Sequence, residues 1–424
     1  MARLEQALQL RQLAQRLVAA NPDQGLDTSV VFASLTKLQR SRPRIVASLR
    51  QGLVCRTARK LNHSKLNLWA ALARPAQANA RQFSDLLSTV QQTDAWTQAC
   101  AAALHHQESL AQQPWNYQAR LQNAGQVLNS LRSRLQRSSG QRIMFWHHFD
   151  ALGYVPISWR ELLQALHQRG WVVVVSSSTL SEDASQQLET CGCIVSRRDN
   201  QGLCLGAYKD FCCLISENPD LRDQLQSLVL CNDSTLPVGG PEPFCRDMER
   251  LTSNATEQAP ELTGLTDSIE TDAYHLQTYC IAANHALLTD PSWEQFWQQF
   301  NPFGSKDDLI QRGEIGLSQW LIKHDVSLQP SYSLTAMLLN SADLRSELDC
   351  HGLDHPNSIN PTLMGWKTLL KQGFPLIKKH LLFDPPKVLS GPIPLSELAD
   401  QLNTSNKQLE QDLKRLLQSR FLKA

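Results

Sequence analysis

The spacing of apolar residues along the chain changes at about residue 140. Over residues 1–140, apolar side chains recur every three or four positions, which is typical of amphipathic helices. After residue 140, short β-branched or aromatic runs alternate with helical patterns of about ten residues. This alternation is typical of a doubly wound α/β domain with a parallel sheet. We therefore predict a helical region at 1–140, an α/β domain at 141–387 and a helical tail at 388–424.

Local signals predict the individual elements of the α/β domain. The predicted strands are residues 142–149, 171–175, 193–196 and 227–231, and the predicted helices are residues 159–168, 182–189, 207–216, 292–300 and 315–324. Ser158 and Glu161 have the spacing of a capping box at the start of the first helix. Asp290 and Pro291 predict the N-cap and first position of the tryptophan-rich helix. Two amphipathic helices are predicted from residue 394 onwards, as a packing hairpin or a helix-turn-helix.

Charge is distributed unevenly, although the chain has 41 Lys and Arg against 40 Asp and Glu. Residues 1–140 carry 18 of the basic residues and only 6 of the acidic ones. Such an excess predicts either an anionic partner or packing against the acidic remainder of the chain. The densest basic group contains no acid: Arg40, Arg42, Arg44, Arg50, Arg56, Arg59 and Lys60. Because aromatic residues are not interleaved with these charges, the pattern favours an anionic membrane surface over nucleic acid.

Two features restrict the class of protein. The longest apolar run, residues 171–175, is far shorter than the roughly 20 residues of a membrane-spanning helix. Charges also interrupt the first twenty residues too often for a secretory signal. The 11 cysteines lack a disulfide framework or paired zinc-knuckle spacing, which predicts reduced, buried thiols in a cytoplasmic protein.

Three polar segments follow predicted strands, at the edge where parallel α/β sheets bind ligands. The first is the serine run at residues 176–178. The second contains Arg197 and Arg198 before a glycine turn that opens a helix, and guanidinium groups beside helix amides predict an anion pocket. The third is residues 232–234, where Asp233 either offers oxygen ligands to Mg²⁺ or Mn²⁺ or caps an Asx-type turn.

From residue 142 to 387 the chain resembles the rhamnan synthesis protein F family, glycosyltransferase-like proteins of bacterial polysaccharide assembly. The resemblance is carried by blocks in the same order: HHFDALGYVPISWRELLQALHQRGWVVVVSSS, RRDNQGLCLGAYKDF, LVLCNDSTLP, GLTDS, YHLQTYCIAAN, SWEQFWQQF, IQRGEIGLSQWL and NPTLMGWKTLLKQGFPLIKKHLLFDPP. The second block is similar to a family pattern R-x-N-x-G-x-D-x-G-A-Y-K, except that Cys204 stands where the family has Asp.

The resemblance implies a Rossmann-like glycosyltransferase A fold. It implies inverting transfer of rhamnose or a related deoxysugar from a nucleotide-sugar to a growing lipid-linked or polymeric glycan, at the inner face of the membrane. The donor site that it implies contains Arg198, Asn200, Gly202, Gly206, Lys209, Asn232, Asp233 and Ser234. Asp233 would also hold a divalent cation, Mg²⁺ or Mn²⁺, as cofactor. Cys204 and Asn232 motivate the alternative, a catalytically degenerate glycan-binding or scaffold protein.

An inverting transferase needs a general base for the acceptor hydroxyl. Glu314 is the first candidate because it lies at a predicted helix N-terminus, and His275 is the second. Asp267 and Gln277 are predicted to contact the acceptor sugar. The structural alternatives are a helix-end charge for Glu314, a core histidine for His275 and an exposed surface lysine for Lys209.

Overall fold

The fold is built on a sheet with helices on both faces. The computed structural model describes residues 115–137, 141–253, 259–270, 273–303, 306–350, 359–385, 392–394, 396–398 and 407–421. Apart from 303 and 306–308, all of these belong to one compact unit, Trp115–Pro302 with Leu309–Ala424. The dense basic group at residues 40–60 lies outside the described residues.

The strands form a mixed sheet in the order β3-β2-β1-β4-β8-β6-β7, and β9 also pairs with β6. Their bounds are β1 Arg142–His148, β2 Val172–Ser177, β3 Ile194–Arg197, β4 Ser227–Asn232, β5 Thr235–Pro237, β6 Glu261–Ser268, β7 His275–Leu276, β8 Cys280–Asn284, β9 Ser327–Tyr332 and β10 Leu376–Lys378. Strands β3, β2, β1 and β4 are all parallel, whereas β8 is antiparallel to both β4 and β6. A separate antiparallel pair joins β5 to β10. The parallel half, compatible with a Rossmann-like fold, was predicted; the antiparallel half was not.

The helices alternate with the strands through the parallel half. Their bounds are α1 Tyr117–Arg120, α2 Ala124–Leu135, α3 Ile157–Gln168, α4 Glu182–Thr190, α5 Leu203–Ser216, α6 Pro219–Arg222, α7 Pro241–Ser253, α8 His285–Leu288, α9 Pro291–Gln299, α10 Lys306–Leu309, a π-helix Ile310–Ile315, α11 Gly316–Ile322, α12 Leu334–Asn340, α13 Ala342–Cys350, α14 Pro361–Met364, α15 Trp366–Lys371, α16 Lys379–Phe383 and α17 Lys407–Phe421.

The alternation of side chains along each strand divides the core into two layers. On β1, Ile143 and Phe145 pack with α2, α5 and α9, whereas Met144 and Trp146 pack with α3, α7 and α17. The apolar residues of α2 belong to the first layer, so the end of the predicted helical region packs on the sheet. The division of the chain into three domains stays a prediction.

Most predicted elements are present with bounds shifted by a few residues, and α9 begins as predicted. Asp290 caps it by accepting a hydrogen bond from the Ser292 amide at 2.8 Å, with Pro291 at its first position. The predicted capping box is wrong: α3 begins at Ile157, and the Ser158 hydroxyl donates to Asp412 instead.

Two features bear on the class of protein. None of the helices within the described ranges has both the length and the apolar character of a membrane span. The cysteines whose side chains the structure describes are all free, and most are buried, in agreement with the prediction of reduced thiols.

Candidate functional site

A row of polar side chains crosses the carboxyl ends of β1 to β4, here called the carboxyl edge. His147 of β1 is in register with Ser176 of β2 and Asn232 of β4, and Ser176 is in register with Ser196 of β3. Each of these four polar residues lies two positions after an apolar residue that packs in the same core layer as α5. The row therefore lies on the α5 side of the sheet, where polar groups replace the core.

Arg198 follows β3 at this edge and is completely buried. Its Nε donates to Asp210 Oδ2 of α5 at 2.9 Å, and its Nη2 donates to the Gln201 carbonyl at 2.7 Å. Burial raises the pKa of Asp210 to about 6, although Arg198 and the Trp115 indole, which donates to Oδ1 at 2.6 Å, act in the opposite direction. The guanidinium is thus fixed by the fold before any ligand arrives.

Several buried polar atoms at the carboxyl edge, one of them in this guanidinium, lack a hydrogen-bond partner among the described residues. They are Arg198 Nη1, His147 Nδ1, Ser176 Oγ and Asn200 Oδ1. Burial, with Arg198 next in effect, lowers the pKa of His147 to about 3, so its ring is neutral. An unsatisfied buried polar group costs about 1–3 kcal/mol, and this concentration of them indicates a place for a polar ligand or water.

Glycines shape the start of α5 beside Arg198. Gly202 has φ +72°, and a Cβ there would lie 2.8 Å from both Gly206 Cα and Pro302 Cβ. A Cβ on Gly206 would lie 2.4 Å from the Gln201 carbonyl that accepts from Arg198. Both glycines are therefore required by close packing, and the helix that they open has no side-chain cap at its N-terminus.

Lys209 is buried against the end of α9. Its buried ammonium donates to the carbonyls of Gln298 at 3.0 Å and Phe300 at 2.6 Å, at the end of α9. The surface alternative is therefore wrong for Lys209, and its place in the donor site stays a prediction.

The turn after β4 has the Asx geometry that the sequence left open. Asn232 Oδ1 accepts a hydrogen bond from the Ser234 amide at 3.0 Å, and Ser234 Oγ accepts from Lys378 Nζ at 3.2 Å. Asp233 Oδ2 accepts from Lys379 Nζ at 3.0 Å. Burial alone would raise the pKa of Asp233, but Lys379 and the nearby histidines outweigh it and hold that pKa below its usual range.

The residues around Asp233 do not form a donor set for a divalent cation. Within the described part of the chain, no group of three or more His, Cys, Asp and Glu side chains is arranged to hold a metal. The Asp233 carboxylate instead has an ammonium at 3.0 Å, which supplies positive charge at this point. The Mg²⁺ or Mn²⁺ cofactor stays a prediction.

Glu314 and His275, the two candidate bases, lie side by side. Glu314 is in the π-helix rather than at a helix N-terminus, because α10 and the π-helix precede α11 without a break. Its Oε2 accepts two hydrogen bonds from Thr278, and its Oε1 lies 4.0 Å from His275 Nε2. His275 Nδ1 lies 2.8 Å from the Ala273 carbonyl, which fixes the ring.

The two predicted acceptor residues have partners within the fold. Asp267 Oδ1 accepts from the Leu334 amide at 2.6 Å and so caps α12. Gln277 Oε1 accepts from Thr266 Oγ1 at 2.8 Å, and its Nε2 lies 3.3 Å from Asn360 Oδ1. Their contact with an acceptor stays a prediction, and these bonds give both residues a structural role.

Cys204 lies in the first turn of α5. Burial raises the pKa of its thiol to about 11, and the charges of Glu314 and Asp233 add to this effect. Both carboxylates are therefore near enough to the first turn of α5 to affect this thiol. The carboxyl edge, the first turn of α5 and the π-helix are therefore grouped as one candidate site.

Reasoning from sequence missed Lys379, Thr278 and His147. Lys379 is 146 residues from Asp233, and Thr278 is 36 residues from Glu314, so spacing gives no sign of these pairs. His147 could have been found, because it precedes the end of a predicted strand.

The geometry defines an α/β protein with a polar site at the carboxyl ends of its parallel strands. The chain belongs to the rhamnan synthesis protein F family, whose model matches residues 172–414. This membership makes it a polysaccharide biosynthesis protein. It is also similar to virulence protein VirA of Vibrio anguillarum, including that of strain ATCC 68554 / 775, with 26% identity over 228 residues, 51% of this chain and 69% of the relative.

The reactivity of Cys204 should depend steeply on pH. Because the thiolate is the nucleophile and the pKa is about 11, alkylation by iodoacetamide should be slow at pH 7 and accelerate about tenfold per pH unit up to pH 10. Mass spectrometry of the peptide that contains Cys204 measures the rate, and Cys204→Ser is the control. Rapid alkylation at pH 7 would contradict the placement of the thiol beside Glu314 and Asp233.

Proposed function

We propose that the chain is an inverting glycosyltransferase that moves a sugar from a nucleotide-sugar to a glycan hydroxyl. The main support is the buried Arg198 guanidinium, which has an unpaired Nη1 beside the N-terminus of a 14-residue helix. Helix amides and a guanidinium are the groups that bind phosphate oxygens. The donor diphosphate is accordingly assigned to Arg198, Asn200 and the first turn of α5.

The mechanism assigns Glu314 Oε1 as the base. The acceptor hydroxyl gives its proton to this oxygen while its own oxygen bonds to the anomeric carbon of the donor. The bond from that carbon to the diphosphate breaks, and the nucleoside diphosphate leaves with the electron pair. Arg198, the α5 amides and the Lys379 ammonium stabilise the charge that develops on it.

The sugar and the location are finer proposals. The family description, rhamnan synthesis, supports rhamnose or a related deoxysugar as the transferred group and a lipid-linked or polymeric glycan as acceptor. A panel of nucleotide-sugars, assayed by mass spectrometry for transfer to glycan acceptors, identifies the donor. Transfer from none of them, with no binding of any nucleoside diphosphate, would reject the proposal.

Asn200 offers a clean test of donor binding, because its Oδ1 makes no bond within the described fold. Asn200→Ala should weaken binding of the nucleoside diphosphate about tenfold without lowering the melting temperature. The adjacent exposed Gln201→Ala is the matched control and should bind as the wild type does. Isothermal titration calorimetry measures both, and equal affinity in the two variants would remove Asn200 from the site.

A glycan-binding protein without activity is the second candidate function. Cys204, a neutral thiol at a position where the resemblance has a carboxylate, favours it. This alternative predicts binding of glycan fragments without release of nucleoside diphosphate from any donor. Release that depends on the acceptor rejects it.

The basic N-terminal region supports a location at the cytoplasmic face of the membrane. The full chain should sediment with anionic phosphatidylglycerol vesicles at low salt, but not with neutral phosphatidylcholine vesicles. Replacement of Arg40, Arg42 and Arg44 by glutamate should abolish sedimentation. Sedimentation with both kinds of vesicle, or with neither, would contradict the proposal.

A further inference from the structure

Glu314 has two chemically different oxygens because Thr278 bonds only one of them. The Thr278 amide donates to Oε2 at 2.7 Å, and its hydroxyl donates to the same oxygen at 2.6 Å. Thr278 is buried, and about a fifth of the Glu314 side chain remains exposed. Oε2 is thus occupied by donors, whereas Oε1 faces His275.

Hydrogen bonds to one carboxylate oxygen withdraw electron density from it and restrict rotation of the group. A proton arriving from an acceptor hydroxyl is then taken by the other oxygen, Oε1. A catalytic group must be held close to its productive geometry, because small misplacements cost large factors in rate. Thr278 supplies this restraint from the segment between β7 and β8.

The Thr278 backbone is itself connected to the turn after β4. The Tyr208 hydroxyl donates to the Thr278 carbonyl at 3.1 Å, and the ring is completely buried in α5. Burial raises the pKa of this hydroxyl, and the nearby Asn232 side chain, one residue before Asp233, acts in the opposite direction. Tyr208 is therefore hydrogen bonded to the segment that restrains the base and lies near the turn assigned to the donor.

We propose that Thr278 is a positioning residue that selects Oε1 of Glu314 as the proton acceptor, and that Tyr208 aligns Thr278 with the donor turn. The inference deepens the proposed function and rests on it. Nothing in the sequence indicates either role, because Thr278 and Tyr208 are distant from Glu314 along the chain. The chemistry is unchanged: Thr278 neither gains nor loses a proton during transfer.

Paired substitutions at Thr278 test the inference. Thr278→Val keeps the side-chain volume and the hydrogen bond from the backbone amide to Glu314, but it removes the hydroxyl. This substitution should lower kcat about tenfold with an unchanged KM for the donor. Thr278→Ser keeps the hydroxyl and should retain nearly full activity. Tyr208→Phe should lower kcat by a smaller factor than Thr278→Val does. The effects of the two substitutions in the double variant should be less than additive, since both residues act on Glu314 through the same series of hydrogen bonds.

The outcome separates this inference from the proposed function. If Glu314→Gln loses activity while Thr278→Val has the wild-type kcat, only the positioning role is wrong. If Glu314→Gln is fully active, the proposed base is wrong. A crystal structure of Thr278→Val gives a readout independent of activity: the Glu314 carboxylate should rotate, and an unmoved carboxylate would overturn the positioning role. Equal losses in Thr278→Ser and Thr278→Val would overturn it as well.

Discussion

Glu314→Gln is expected to lower kcat for sugar transfer by about two to four orders of magnitude and to leave donor affinity unchanged. Glutamine has the same shape, and its amide oxygen can still accept both hydrogen bonds from Thr278. It cannot take a proton from the acceptor hydroxyl. Since the loss arises only in the transition state, kcat and kcat/KM should fall together.

The measurement is the initial rate of nucleoside diphosphate release with saturating donor and varied acceptor. Calorimetry with the nucleoside diphosphate alone checks that the donor end of the site is intact. His275→Gln is the matched variant, because His275 lies 4.0 Å from the same carboxylate. A larger loss in His275→Gln than in Glu314→Gln would transfer the role of base to the histidine.

Asp412→Ala is expected to lower the free energy of unfolding by about 3 kcal/mol or more, because each buried donor left without a partner costs about 1–3 kcal/mol. The Asp412 carboxylate is completely buried in α17 and caps α3 from the far end of the chain. It accepts hydrogen bonds from the Ile157 amide at 2.6 Å, the Ser158 amide at 3.0 Å, the Ser158 hydroxyl at 2.6 Å and the Tyr154 hydroxyl at 2.6 Å. Alanine would leave these donors buried without a partner.

Urea unfolding of the full chain, followed by circular dichroism, measures the difference. The free energy of unfolding of Asp412→Asn should lie between those of the wild type and Asp412→Ala, because an amide oxygen can accept some of these hydrogen bonds. Glu410→Ala is the control, since Glu410 is exposed on the same helix and its loss should change stability by less than about 0.5 kcal/mol. An Asp412→Ala protein with the unfolding midpoint of Glu410→Ala would show that α17 does not support α3.

The stabilising and catalytic roles of buried charges must be separated in such experiments. Arg198 is assigned to the donor diphosphate, yet it also forms a buried ion pair with Asp210. Replacing it removes one partner of that pair, a change that ordinarily destabilises a fold by about 3–5 kcal/mol. Loss of activity in an Arg198 variant therefore says little about donor binding, and Asn200 is the better probe.

The sequence determined the local elements and the edge at which the site lies. Strand β2 follows from a β-branched run bounded by glycine and serine, and the N-cap of α9 follows from Asp290 and Pro291. These signals act over a few residues, so they can be detected in a single chain. Because parallel strands end at the same edge, the sequence also indicated that the turns of Arg198 and Asp233 follow strand ends on one edge, although β2 and β1 separate their strands.

Only the tertiary structure decided which partner each polar side chain has. Lys209 binds the end of α9, Lys379 pairs with Asp233, and Asp412 caps α3. Each of these partners is tens to hundreds of residues away along the chain, and the choice among many similar side chains depends on how the helices pack. Spacing in the sequence carries no information about such pairs, because burial and distance arise only when the layers of the fold come together.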